Sequence, residues 1–463
     1  MTAPPGAAPT AASTRARPRE RLRDRWRIPG LLVAIVTAGM VLRMAWAAYA
    51  ARTPSGLHDP LFYRLLADSI AHGHGYSYPA PFNGPGIGFA PTAYYPPAYA
   101  AVLGAIRWLT LHTPLPDGQT AIAVVVNLVA AAAGIVLVFA IARRIADERT
   151  ALVAAALVAF WPNLIVHTAV TLSETLFIAV MLLALWLAIN VRRDGSQWSR
   201  LVAVGATIGI ATLVRPVALP LLGALAVAWL VAGLGWRTTL ARTGVVTLAC
   251  GAVLVPWVIR NAAVMGSPVL STNSGDNLCM SRQPGATGGF QITAFCNNEI
   301  PGLHRPESEV RKNDEGQHTA LTFVREHPAT EVRLWFSRLR YGFGSDADGV
   351  RATESYDEDR FLPDAVRTTV TVLANLWYAA VGILAVVSLW WWLRRRDFGG
   401  WLVFMSVLGV GVLPIVAFFG DPRFHVPVDP LLAILAAGLL TGWVRRSGGG
   451  AVDETRSGVL AMP

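Results

Sequence analysis

Long apolar runs, recurring between residues 29 and 443, constrain this chain more than any other feature. Several approach the ~20 residues an α-helix needs to cross ~30 Å of hydrocarbon, in a sequence of 463 residues that is 54% hydrophobic and only 15% charged. Hydrocarbon offers no water to satisfy backbone polar groups, so such runs fold as helices. The chain therefore reads as an all-α polytopic membrane protein. Its net charge of +10 would suit nucleic acid if it formed a patch. Instead it sits in short blocks between the apolar runs, among them Arg143-Arg144, Arg192-Arg193, Arg394-Arg395-Arg396 and Arg445-Arg446, which is how membrane proteins encode orientation. No nucleic-acid partner is expected.

Ten spans with both termini in the cytoplasm place every basic block inside. They are expected at about 29–50, 119–141, 150–168, 174–191, 200–214, 216–233, 243–259, 366–392, 399–419 and 426–443. The apolar run 98–111 is too short to cross and reads as an interfacial or re-entrant helix. Five regions follow: a disordered basic cytoplasmic tail, 1–28; a transmembrane catalytic module, 29–261, with its first outer loop at 51–97; an extracytoplasmic loop region, 262–365; C-terminal transmembrane helices, 366–446; and a disordered cytoplasmic tail, 447–463. Within the loop region, residues 327–344 mix Trp335, Phe336, Leu339 and Phe343 with Arg333, Arg338 and Arg340, as in a basic amphipathic helix lying on the membrane face. Cys279 and Cys296 fall in the same region, and in an oxidising compartment they could close a loop, contributing roughly 3 kcal/mol.

The first outer loop carries the stretch with most chemical potential, His58 to Pro97, which is polar, aromatic and rich in glycine and proline. Asp59-Pro60 reads locally as a helix start, and Gly73 and Gly75 as its end. Leu61, Phe62, Leu65, Leu66 and Ile70 would face the membrane and hold Asp59 at the lipid–water boundary. From local sequence alone Asp59 is equally a helix cap or a functional acid.

Further polar residues gather at the outer ends of the spans: Tyr94, Tyr95, Glu174, Arg215, Arg260, Asn261, Arg423 and His425, with His58 and Tyr63 beside Asp59. Singly, each could be a snorkelling or capping side chain. Collected on one side, acids and arginines are what a phosphate-containing substrate requires. Arg260 and Arg423 are the preferred phosphate ligands, and Glu174 is suited to hold an arginine or a sugar hydroxyl. Asp346-Ala347-Asp348 resembles the acidic pair with which soluble nucleotide-sugar transferases hold a metal. It reads as part of a polar loop, near Glu354, Asp357, Glu358 and Asp359, so no metal ligands are assigned, and a divalent cation is left open as a cofactor without ligands. There is no phosphate-cradling GxxxxGK loop and no GxGxxG turn.

Taken in order, Asp59 with FYRLLADSIAHGHGYSYP, PTAYYPPAY at 91–99, LSETLF at 172–177, LVRP at 213–216, PWVIRN at 256–261, STNSGDNLCMSRQPGATGGF at 271–290 and GDPRFHVPVDP at 420–430 resemble the GT-C class of membrane glycosyltransferases. The likeness is to bacterial relatives of the dolichyl-phosphate-mannose protein mannosyltransferases and of the aminoarabinose lipid A transferases. It implies a sugar donor on a polyprenyl phosphate and an acidic residue of the first outer loop, here Asp59, that activates the acceptor hydroxyl. The protein mannosyltransferases typically carry an Asp-Glu pair at this point. Here Pro60 follows Asp59, which weakens the case for a protein acceptor over a lipid or glycan.

The chemistry is consistent with one base. Glycosidases need a second carboxyl as general acid because an alkoxide leaves poorly, whereas a lipid phosphate already leaves as a stable anion. One carboxylate and arginine charge then suffice, and attack opposite the phosphate inverts the anomeric centre. The expected function is thus an inverting, polyprenyl-phosphate-sugar-dependent transferase on the outer face of the plasma membrane, with Tyr94 and Tyr95 against the sugar. A transporter or flippase of lipid-linked sugars is the alternative; it predicts charges at mid-membrane and paired broken helices. A noncatalytic scaffold is a third reading.

Overall fold

A computed structural model describes residues 29–79, 88–114, 118–191, 197–293, 295–296, 306–443 and 446. The two expected tails, the Arg192-Arg193 block, Arg445 and the tip of the first loop at 80–87 lie outside the described residues. Among those described, the chain is helical apart from one short hairpin. The helices are α1 (Gly30–Ala50), α2 (Asp59–Ala71), α3 (Ala98–Leu111), α4 (Gln119–Ile145), α5 (Glu148–Ala159), α6 (Pro162–Val166), α7 (Glu174–Ile189), α8 (Trp198–Val214), α9 (Pro220–Val231), α10 (Trp236–Met265), α11 (Ser274–Met280), α12 (Pro306–Glu326), α13 (Pro328–Phe343), α14 (Asp348–Thr353), α15 (Asp364–Arg394), α16 (Phe398–Ser406), α17 (Leu413–Ala417) and α18 (Asp429–Leu440). Strands β1 (Ser77–Pro79) and β2 (Phe89–Pro91) pair antiparallel with Tyr78 opposite Ala90.

Each of the ten apolar segments is helical. Six helices among the described residues are long and apolar enough to cross a membrane, or seven when α5 and the segment 162–169, bent by 59°, count as one. The shorter helices α7, α8 and α9, with α3, complete the apolar set. This is a multi-pass membrane protein.

The bend after Ala159 has a physical cause. Pro162 supplies no amide hydrogen and Trp161 before it is extended, so α5 stops and its last carbonyls lose their partners. Arg43 of α1, 1% exposed, fills that gap by donating to the carbonyls of Ala159 at 2.6 Å and Val158 at 3.1 Å. Tight packing holds helices elsewhere: a Cβ on Gly205 of α8 would lie 2.2 Å from the Val246 carbonyl of α10, so these backbones touch, as small residues allow between membrane helices. Between α16 and α17 the chain widens into a π-helix, Val407–Val412, just before Pro414, which cannot donate within the helix.

Two expectations for the loop region change. The helix α13 forms where expected, with Trp335 and Phe336 exposed, but Arg338 is fully buried and holds Glu331, the Ser281 carbonyl and the Val416 carbonyl. It is an internal tie and not a lipid-facing cation. Asp346 and Asp348, expected in a polar loop, are both buried, because α14 tucks against α6.

Candidate active site

The helix α2 places the first acid. Its N-cap is His58, Pro60 sits in the first turn, and no side chain caps it; Asp59 turns away from its own helix. One Asp59 carboxylate oxygen accepts from the Tyr95 hydroxyl at 2.5 Å. The other accepts from Arg423 at 2.5 Å. The cap reading of Asp59 is thereby set aside.

Arg423 joins two acids. Its Nε donates to Glu174 at the start of α7, and Arg215, at the C-terminal end of α8, donates to the same Glu174 oxygen. Arg215 also reaches Ser173 at 3.3 Å, as does the Tyr63 hydroxyl. Thus Asp59, Tyr63, Tyr95, Glu174, Arg215 and Arg423 form one connected network, although 364 positions separate its ends. Two arginines face two carboxylates, so the network is neutral and desolvation is compensated pair by pair. Exposure distinguishes the acids: the Glu174 side chain is 0% exposed and that of Asp59 30%.

Arg423 is set by a local turn. Asp421 accepts from the Arg423 amide at 2.9 Å, capping the short 3-10 segment Pro422–Phe424 as aspartates do in turns.

Tyr94 faces the other way, donating to Asp276 at 3.0 Å, and Lys312 lies 3.4 Å from that carboxylate. Burial, reinforced by Asp59, raises the Tyr95 phenol well above its ordinary value, and burial pushes Tyr63 up to about 12. Tyr94 is raised likewise, by burial and then by Asp276. All three phenols therefore remain protonated donors. Asp276 and Lys312 were not singled out from sequence. Asp276 sits inside the glycine- and serine-rich 271–290 run, and its lone acidic character there was the available signal.

Arg260 stands beside this group as a support. It donates to the carbonyls of Thr92 at 2.7 Å and Tyr76 at 2.8 Å, and to Asn261, so it clamps the two sides of the hairpin base. Trp257 of the same helix lies under its guanidinium, 4.9 Å away. Asn261 donates to the Val269 carbonyl at 2.7 Å. The adjoining Glu309, buried, accepts from Thr92, the Ala93 amide and Thr272.

His58 and His425 are not in the network. His58 leans on the Tyr356 ring, with centroids 5.1 Å apart. Tyr356 belongs to a turn, Ser355 to Asp357, in which three successive non-glycine residues have positive φ. His425 lies in a separate buried group with Asp346 and Asp429. Cys279 and Cys296 are joined in a disulfide with Cα atoms 5.8 Å apart, which closes the segment following α11.

Residues 104–259, about a third of the chain, match the family model described as dolichyl-phosphate-mannose-protein mannosyltransferase. Among solved structures, the oligosaccharyltransferase of Archaeoglobus fulgidus, solved with zinc and sulfate, superposes with a TM-score of 0.52 at 16% identity, over 93% of this chain and 51% of the other. The fold is GT-C. The archaeal oligosaccharyltransferase AglB from Archaeoglobus fulgidus, in complex with an inhibitory peptide and a dolichol-phosphate, gives a TM-score of 0.50 at 15% identity, over 93% and 52%. ArnT of Cupriavidus metallidurans gives 0.39 at 16% identity, over 93% and 81%. The chain spans about half the length of the oligosaccharyltransferase it matches. No curated protein matches it.

Proposed function

We propose that the chain is an inverting glycosyltransferase that moves a sugar from a polyprenyl-phosphate donor to an acceptor hydroxyl on the outer face of the plasma membrane. The observation that carries this reading is Asp59, a partly exposed carboxylate oriented by Tyr95 and Arg423 beside a buried acid, Glu174, already matched by two arginines. Glu174 cannot meet an acceptor, so it serves as the anchor for Arg423 and Arg215. Asp59 can, so it is the base.

In the proposed step the acceptor O–H gives its proton to Asp59 as the oxygen attacks the anomeric carbon. The bond from that carbon to the phosphate oxygen breaks, and the electron pair leaves with the polyprenyl phosphate. Arg423 is placed to exchange its Asp59 contact for the phosphate, which frees the base as the donor binds and stabilises the leaving group as it departs. Arg215 adds charge behind it and Arg260 from the hairpin base. Tyr94, with Asp276 and Lys312, offers a polar wall for sugar hydroxyls.

Two further observations support the reading. Arg143-Arg144 and Arg394 lie at the ends of α4 and α15 away from Gln119, which touches Arg64 of α2, and from Asp364 at the start of α15. By the distribution of basic residues those ends are cytoplasmic, leaving Asp59 outside. The archaeal oligosaccharyltransferase that shares the fold has been solved with dolichol-phosphate. The test is product stereochemistry: with an isotopically labelled polyprenyl-phosphate sugar and membranes containing the protein, NMR of the product is expected to show inversion at the anomeric carbon. Retention would contradict a single-base mechanism.

A further inference from the structure

Close to Arg423 in sequence, three buried ligand-type side chains converge, and one of them, Asp429, has no hydrogen-bond partner. Asp346 precedes α14, His425 follows the turn that holds Arg423, and Asp429 begins α18. One donor atom from each lies within 4.8 Å of the others, and all three residues are buried. The His425 Nε2 is 3.2 Å from Asp346 and 3.8 Å from Asp429.

Hydrogen bonding fixes the imidazole. His425 Nδ1 lies 2.7 Å from the Gly342 carbonyl, which can only accept, so Nδ1 carries the hydrogen and the neutral ring turns its Nε2 lone pair toward the two carboxylates. Asp346 is already held from behind by Trp161 Nε1 at 2.8 Å and Asn163 Nδ2 at 2.5 Å. Asp429 has neither oxygen hydrogen-bonded, although it is 0% exposed. Among the described residues, the cation paired with either carboxylate is His425 alone. An imidazolium would satisfy Asp346 and still leave Asp429 without a donor and the group negative in a dry interior, which is costly. A divalent cation would give all three atoms one partner and cancel both carboxylate charges.

We propose that Asp346, His425 and Asp429 form a binding site for one divalent transition-metal cation of the zinc type, which ties the turn carrying Arg423 to the helix bundle. One imidazole and two carboxylates suit zinc or manganese and provide too few oxygens for calcium. Metal–ligand distances of about 2.0–2.2 Å put tetrahedral ligand atoms roughly 3.4 Å apart, close to the 3.2 and 3.8 Å that separate His425 Nε2 from the two carboxylates. The carbonyl on Nδ1 and the two donors on Asp346 are the outer contacts that orient metal-ligating side chains. The site does not depend on the glycosyltransfer reading.

The test uses the full-length protein purified in detergent without chelator, equilibrated with Zn²⁺ and dialysed. Elemental analysis is expected to find about one zinc per chain in the wild type and almost none in Asp429→Asn or His425→Gln. EDTA should lower the wild-type melting temperature and added Zn²⁺ or Mn²⁺ restore it, while Asp429→Asn should respond to neither. A wild type that retains no stoichiometric zinc or manganese, with melting unmoved by EDTA, would overturn the proposal and mean that protons hold the cluster. The wild-type measurement stands even where a variant fails to fold.

Discussion

Glu174 and Asp59 are both carboxylates bound by Arg423, and their different burial gives them different expected behaviour. Glu174 is enclosed between Arg215 and Arg423. Replacing it with Gln leaves two arginines around a neutral amide, so Glu174→Gln should lose about 3 kcal/mol of stability, read as a clear fall in melting temperature, together with transfer. Unchanged melting would mean that the arginines are solvated or paired elsewhere. Tyr95 is expected to act through Asp59 alone. Tyr95→Phe should lower the rate of transfer by weakening the orientation of the base, while leaving donor affinity near that of the wild type, a split readable by varying donor concentration.

At the level of elements, the junctions carry the informative contacts. Arg43 satisfies the Ala159 carbonyl where α5 stops and supplements the long bond, 3.4 Å, that the Trp161 amide gives Val158, and leaving a buried acceptor unmade costs about 1–3 kcal/mol. Arg43→Met, which preserves much of the length, should therefore destabilise by roughly that amount, measured by thermal melting; a neutral effect would show that the bend supports itself. Glu354 ties the positive-φ turn to the next helix by accepting from the Phe361 and Leu362 amides and from Arg367. The Arg367 hydrogen bond, against a smaller desolvation, holds its carboxyl below the usual range. A depressed folded value means that its stabilisation is present above the unfolded pKa of about 4.3 and is lost as pH falls through the folded value. Glu354→Gln should remove that part of the acid destabilisation, so the variant's melting temperature should fall less between neutral and acid pH than the wild type's.

Across the whole molecule, the ten helical segments were legible because apolar length and the arginine blocks are encoded locally, one run at a time. The convergence of Asp59, Glu174, Arg215 and Arg423 was legible as a pattern of polar residues at one end of the spans, though not as contacts. Three features were hidden. Arg43 is an ordinary residue in an apolar run until α5 breaks opposite it; Arg338 fits an amphipathic period that describes its own helix and not its partner; and Asp346 read as loop acid because nothing nearby in sequence shows that His425 and Asp429 close over it. Each depends on packing between distant segments, which periodicity does not encode. The central claim, that this chain performs transfer with Asp59 as base, is tested most directly in membranes containing wild type or Asp59→Asn and supplied with radiolabelled polyprenyl-phosphate sugars. Given equal expression and melting of the two proteins, the account predicts that label reaches the acceptor fraction with wild type and falls by about 10²–10⁴-fold with Asp59→Asn, as loss of a general base would produce. Undiminished transfer by the Asn variant would contradict it.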